Sequence, residues 1–253
     1  MIRLKSEREI ALMRVSAGLV AKTFEYIEPF VKPGVTTKQI DDKVEKFIVD
    51  NGGYPAFKGL YGFPASACIS VDEEVVHGIP LENRVLEEGQ IVSVDIGVRI
   101  DGYYGDAAYT FPVGKVDDDK LHLMRVTWKS LHDGLAKARV GNHLQDISAA
   151  IQQHAESNGY HVVRELVGHG IGKKLHEDPQ VPNYGTPGKG VALKSGMTLA
   201  IEPMINTGTI KVETLADKWT VVTADRRPSA HYEHTVLILD GEPEILTQHP
   251  LSP

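Results

Sequence analysis

The chain has 253 residues, 42% hydrophobic and 24% charged, which is enough apolar side chain for one large core or two small ones. A net charge of −7 without any basic block argues against nucleic acid as the main ligand. One cysteine, Cys68, excludes an internal disulfide and a zinc–thiolate cluster, and no apolar run reaches the roughly 18 residues that span a membrane.

The N-terminus lacks the apolar core and cleavage site of a secretory signal, so the expectation is a soluble protein of a reducing cytoplasm. Ser6 with Glu9 is a capping box, and apolar spacing predicts a helix over 7–28. A second helix is predicted over 38–51, stopped by Asn51-Gly52-Gly53. Cys68 sits in the strand-like run "PASACISV" and reads as a small buried hydrophobe. "QIVSVDIGVRIDGYYGDAAYTF" (90–111) reads as a hairpin turning at Asp101-Gly102. Helices follow over 119–138 and 143–157, and their histidines, His122, His132, His143 and His154, read as solvated or locally bonded. Strands are expected at "YHVVRELV" (160–167), "MTLAIEPM" (197–204) and "HYEHTVLILD" (231–240).

Part of the sequence occurs twice. "LMRV" stands at 12–15 and again at 123–126. Gly34, Ile40, Val44, Asn51 and Gly52 recur 107 residues later as Gly141, Ile147, Ile151, Asn158 and Gly159. The same offset of 107 carries Leu86, Gly89 and Asp95 onto Leu193, Gly196 and Glu202. Two copies of a helix–helix–strands unit, roughly 1–112 and 113–253, are too few for a solenoid. They predict an α+β fold in which pseudo-twofold halves share one core and a mixed, largely antiparallel sheet. The whole of 1–253 then forms a single domain.

The candidate site follows from the hairpin. With Asp101-Gly102 as its turn, residue i faces residue 203 − i, so Asp95 faces Ala108. Asp106 is its diagonal neighbour on the same face, roughly 7–8 Å away. Ser93, Gly97 and Ala108 leave room beside the acids, while Val92, Val94 and Ile96 form the opposite, core face. The repeat puts Glu202 where Asp95 stands in the first half, in a strand too apolar to keep a lone carboxylate cheaply. Glu233 lies on a further apolar strand. Four carboxylates near a pseudo-twofold axis repel unless neutralised, and two divalent cations would balance their four charges. His169 can add a nitrogen, and such a donor set suits Mn, Fe, Co or Zn. The glycines of "VGHGIGKKLHEDP" (167–179) at first suggest a phosphate loop, but Lys173 is followed by Lys174 instead of Ser or Thr. Gly168, Gly170 and Gly172 instead read as allowing tight turns and close backbone approach beside the metals.

"EEVVHGIP", "VDIG…DGYYGDAAYTF", "VGHGIGKKLHEDPQVPNYG", "LKSGMTLAIEPM" and "YEHTVLI", taken together and in order, resemble the type I methionine aminopeptidases over essentially the whole chain. The resemblance implies the pita-bread fold, whose internal symmetry agrees with the repeat. It implies that Asp95 binds one metal, that Asp106 and Glu233 bridge two, and that His169 and Glu202 complete the second. His176 would reach the scissile carbonyl and His77 the peptide nitrogen. A hydroxide generated between the metals would attack the first peptide bond, with Glu202 shuttling the proton. The methionine pocket would draw on Phe57, Leu60, Phe63, His77 and Trp219, with Leu175 nearby; "AFKGLYGF" departs here from the cysteine and tyrosines of many members.

The implied activity is removal of the N-terminal methionine from nascent proteins, with a small second residue preferred. It would belong to a monomeric, bacterial-type cytoplasmic enzyme that meets the ribosome exit region transiently and binds neither membrane nor specific nucleic acid. The bacterial type is expected because the chain opens directly at the first helix. Rival readings are an Xaa-Pro aminopeptidase or dipeptidase of the same fold, and a non-catalytic pita-bread binding module.

Overall fold

The computed structural model describes residues 2–253. Helix α1, Glu7–Ile27, opens at the expected capping box: the Glu9 amide donates to Ser6 Oγ (3.4 Å) and the Ser6 amide to Glu9 Oε2 (3.0 Å). Its buried stripe, Ile10, Met13, Ala17, Val20, Phe24 and Ile27, has steps of three and four and faces the sheets. Helix α2, Thr37–Asp50, has its own box from Thr36 and Gln39. Helices α3, Asp118–Leu135, and α4, Leu144–Ser157, complete the set. Helix α3 stops short of the expected 138. The amides of Lys137 and Ala138 bond back only three residues, to Gly134 and Leu135 (both 2.9 Å), so the chain leaves the helix as a tight turn.

The hairpin forms in the expected register. Strands Ile91–Ile100 and Tyr103–Pro112 pair from Ile91↔Pro112 to Ile100↔Tyr103, with Asp95 opposite Ala108 and Asp106 opposite Gly97. Asp101 and Gly102 both take positive φ, 50° and 79°, the backbone twist that a two-residue hairpin turn requires. The strand Ala67–Val71 flanks the hairpin and sets Cys68 opposite Asp95.

The repeat recurs in backbone bonding. Helix α4 lies 107 residues after α2 at both ends. The isolated bridge Thr36↔Val85 is matched by His143↔Ala192. The Leu86 amide donates to Val35 (2.8 Å), and the Leu193 amide to Asn142 (2.9 Å). Where one shared sheet was expected, hydrogen bonding divides the strands of the described residues into four sheets, with every ladder antiparallel. Proline explains the main break. The first half runs one strand through Ile96. The second half has Pro203 at the equivalent place, and the missing amide splits the strand into Thr198–Ile201 and Met204–Asn206. The expected strand over 160–167 shrinks to His161–Val162, which pairs with Ile205 and Asn206 of the three-residue strand Met204–Asn206.

One core nonetheless spans the halves. Phe24, Ile40, Val92, Val94 and Ile96 of the first belong to the same buried cluster as Ile147, Ile151, Leu199 and Ile201 of the second. Each such side chain contributes about 1.5–3 kcal/mol by leaving water. The halves are also hydrogen-bonded at the seam. The Glu233 amide donates to Ala108 O (2.9 Å), and Thr235 Oγ1 accepts from the Asp106 amide and donates to Asp106 O (2.7 Å). Among the described residues no helix is long and apolar enough to cross a membrane.

The four histidines are exposed or half-buried; His132 bonds locally to Trp128 O, whereas His154 reaches Asp133 on α3 and His122 reaches Tyr160. The C-terminal His249 differs. It is buried against Phe24, Tyr109 and His234, and neither ring nitrogen has a hydrogen-bond partner. Burial, aided by His132, lowers its pKa from the ordinary 6.5 to about 4. An unfolded chain therefore takes up a proton that the folded one refuses, so this contribution is present above pH 6.5 and is lost as pH falls to about 4. We expect His249→Phe, measured by urea unfolding against pH, to flatten the acid limb across that window by up to about 3 kcal/mol. Parallel curves for the two proteins would refute it.

Candidate metal centre

Each acid arrives on a different segment. The hairpin strands carry Asp95 and Asp106; Glu202 follows Thr198–Ile201; Glu233 stands between Ser229–His231 and His234–Leu237. His169 is the middle residue of Gly168–Gly170, paired on one side with Glu177–Val181 and on the other with Thr198–Ile201. All five line one cavity of about 910 Å3. Asp106, His169 and Glu233 each bring a ligand atom within 4.8 Å of the others. His169 Nε2 lies 3.8 Å from Asp106 Oδ2 and 3.6 Å from Glu202 Oε1. His169 Nδ1 faces Gly170 O at 2.9 Å; donating there, it leaves Nε2 as a bare lone pair facing the acids.

The electrostatics are those of an uncompensated cluster. Burial raises all four carboxyl groups, Asp95 to about 7 and the others well above their usual range. Repulsion adds to it: Asp95 and Glu202 act on Asp106, and Asp106, Glu202 and Asp95 act on Glu233. Burial, with His176, lowers His169 to about 4, so it is a neutral imidazole. Asp95 Oδ1, Asp106 Oδ1 and Glu233 Oε1 are buried without a hydrogen-bond partner. Orphaned carboxylate oxygens together with a free imidazole nitrogen suit a divalent cation, which would replace the missing donors and reverse the repulsion.

The glycines around His169 are there for close approach. A Cβ on Gly168 would lie 2.4 Å from Ala200 O, and one on Gly170 2.1 Å from Asp178 O. The chain bends at Gly172 between two paired strands, whereas Gly168 and Gly170 lie in an extended strand, and none of the three takes positive φ. Positive φ appears instead at His77 (59°), a strained backbone that turns its ring into the cavity. His176 lies edge-on to His169 with ring centres 4.5 Å apart. Burial lowers the pKa of both His77 and His176.

Phe57, Leu60, Phe63, Leu175 and Trp219 line the same cavity. Phe63 meets Trp219 edge to face at 5.2 Å. Phe57 packs where Gly97 leaves space, since a Cβ on Gly97 would lie 2.6 Å from its ring. Cys68, Tyr61 and His231 are among the lining residues not foreseen in that role. Cys68 is buried as expected, but it borders the cavity. Tyr61 is 79% exposed and stacks on His176 at 6.2 Å. His231 is 2% exposed, its Nε2 is 3.9 Å from Glu202 Oε2, and burial and His77 lower its pKa to about 3. A signal for His231 was present in "HYEH": two residues before Glu233, it shares that side of an extended chain.

The segment carrying His176 is anchored by an ion pair. The Lys5 side chain is 3% exposed, and its Nζ is 2.8 Å from Glu177 Oε2. Burial alone would raise the Glu177 carboxyl, but Lys5 and the Lys174 amide outweigh it and the net shift is downward. We expect Lys5→Met to lower stability by about 3 kcal/mol in urea unfolding, because Glu177 loses its buried cation. Lys5→Met combined with Glu177→Gln should recover most of that loss; a single variant as stable as wild type would show that the pair anchors nothing.

A family model described as metallopeptidase family M24 matches residues 11–240. The chain is 53% identical over 247 residues to a methionine aminopeptidase of Clostridium perfringens, covering 98% of this chain and 99% of that one. The crystal structure of a methionine aminopeptidase from Thermotoga maritima superposes with a TM-score of 0.97 at 46% identity, covering 98% of this chain and all of that one. A prolidase from Pyrococcus horikoshii shares the fold alone, with a TM-score of 0.78 at 21% identity over 63% of its length. The chain belongs to metallopeptidase family M24, among its methionine aminopeptidases, and has the pita-bread fold that they share.

Proposed function

We propose that the chain removes the N-terminal methionine from nascent proteins, with Asp95, Asp106, His169, Glu202 and Glu233 holding two divalent ions drawn from Mn, Fe, Co or Zn. One observation carries this reading: oxygens of Asp95, Asp106 and Glu233 without partners lie beside a free imidazole nitrogen, on the wall of a cavity that also has an apolar pocket. When bound, the ions would supply a water of lowered pKa and a Lewis acid for the carbonyl oxygen.

The remaining chemistry belongs to side chains. Phe57, Leu60, Phe63 and Trp219 enclose an apolar pocket suited to a thioether side chain. Glu202 is the general acid–base: its carboxylate takes a proton from the attacking water and gives it to the leaving amine. His176 donates to the carbonyl oxygen as charge develops there, and His77 steadies the peptide nitrogen. The enzyme would work as a cytoplasmic monomer, meeting its substrate near the ribosome exit.

Release of methionine from Met-Ala-Ser, set against cleavage of an Xaa-Pro peptide, tests the reading. We expect methionine release, a preference for small second residues, and a loss of about 10²–10⁴-fold in kcat for Glu202→Gln. Cleavage of the Xaa-Pro peptide alone would favour a prolidase-like enzyme, and inactivity on both with metal bound would favour a binding module. A second expectation concerns the cluster itself. Chelator-treated protein should melt several degrees higher when Mn or Co is restored, because the ion binds only the folded arrangement. An unchanged melting temperature, with no ion taken up, would exclude the metal centre.

A further inference from the structure

We propose that His231 is a positioning residue that acts through Glu202. Its Nε2–H holds Glu202 Oε2 and so fixes the carboxylate that moves the proton. The inference rests on the role given to Glu202 above.

The first observation is an unmet hydrogen bond. His231 is 2% exposed, borders the cavity, and has a buried Nε2 without a partner. Native proteins leave few such groups unpaired. Glu202 Oε2 stands 3.9 Å from that nitrogen, so a carboxylate rotation of about 1 Å completes the bond. The other oxygen, Oε1, faces His169 Nε2 at 3.6 Å. Glu202 therefore has one imidazole before each oxygen.

The second observation is that His231 cannot swing away. Its backbone pairs with Met204. Thr110 Oγ1 accepts from the His231 amide (3.1 Å) and donates to its carbonyl (2.8 Å), and Ser93 Oγ lies 2.8 Å from the same hydroxyl. Glu202 is held from its own side, where Asn183 Nδ2 donates to its carbonyl at 3.0 Å.

The third observation is the pseudo-twofold. Asp95 and Gly97 map onto Glu202 and Met204 by the offset of 107. Gly97 pairs with Asp106, and Met204 pairs with His231. His231 thus occupies in the second half the position of Asp106 in the first. A fifth carboxylate there would repel the other four. A neutral imidazole instead offers a donor, and a donor is what the second oxygen of Glu202 lacks. Partners of this kind, behind a metal-binding carboxylate, change metal affinity or activity by about 10–100-fold when removed.

The test uses full-length wild type, His231→Leu, His231→Gln, His231→Asn, Glu202→Ala and the Leu/Ala double variant. Turnover of Met-Ala-Ser and Mn titration of the chelator-treated proteins are both measured. We expect His231→Leu to lower kcat by about 10–100-fold with KM within twofold, and to weaken Mn binding about tenfold. His231→Gln, whose amide reaches the same oxygen, should restore most of both, and the shorter His231→Asn should not. In the Glu202→Ala background His231→Leu should change Mn affinity no further, because the two act as one unit. A rise in KM alone, kcat and Mn affinity both unchanged, or no rescue by Gln would overturn the proposal. If the Leu variant has no melting transition, the Gln and Asn pair decides. Should wild type release no methionine, the aminopeptidase reading fails by itself, and the Mn titrations still judge the link between His231 and Glu202.

Discussion

Four carboxyl groups are packed into one cavity wall where burial pushes each toward protonation and repulsion adds to it at Asp106, Glu202 and Glu233. Such an arrangement persists only if surrounding structure enforces it, and the enforcing structure is the seam between the two halves. There the amides and carbonyls of residues 106–110 bond to Tyr232, Glu233 and Thr235. The apolar cluster behind the seam supplies the free energy: Val92, Val94 and Ile96 face inward on the same strand that turns Asp95 outward. Alternation along one strand therefore ties core burial to site assembly.

The pseudo-twofold is imperfect, and its departures are chemically informative. Gly97 leaves space for Phe57, whereas its counterpart Met204 lines the cavity. Ala108 corresponds to Glu233, so the second half adds an acid where the first has a methyl group. Asp106 corresponds to His231, so one acid becomes an imidazole. Within this near-symmetric frame, differences at single positions set an acid and an imidazole on one wall of the cavity and leave room for an apolar pocket beside it.

Much of this was legible in the residues. The hairpin register followed from one turn pair, because Asp101-Gly102 accepts the positive φ that sets strand pairing, and register then puts Asp95 and Asp106 on one face. The internal repeat located Glu202 without any local motif. Other features were hidden. Pro203 was visible, but that it would divide one sheet into several depended on what paired with its strand. His231 shares the side of Glu233 along its chain, but its role depends on a distance to Glu202, a residue on another segment. Lys5 gave no hint that it would be buried against Glu177, since that pairing spans the chain.

The sequence by itself determined the periodicities: where helices begin, which strand faces are apolar, where the chain turns, and that it repeats. These are local properties, decided by backbone sterics and by the alternation of apolar with polar side chains. The resemblance to a known family added the expected chemistry. Only the tertiary structure decided which oxygens were left without donors, which ring nitrogen of His169 faces the acids, and what stands behind Glu202. Those depend on how segments distant in sequence are brought together, and close approach is controlled by packing that no single segment encodes.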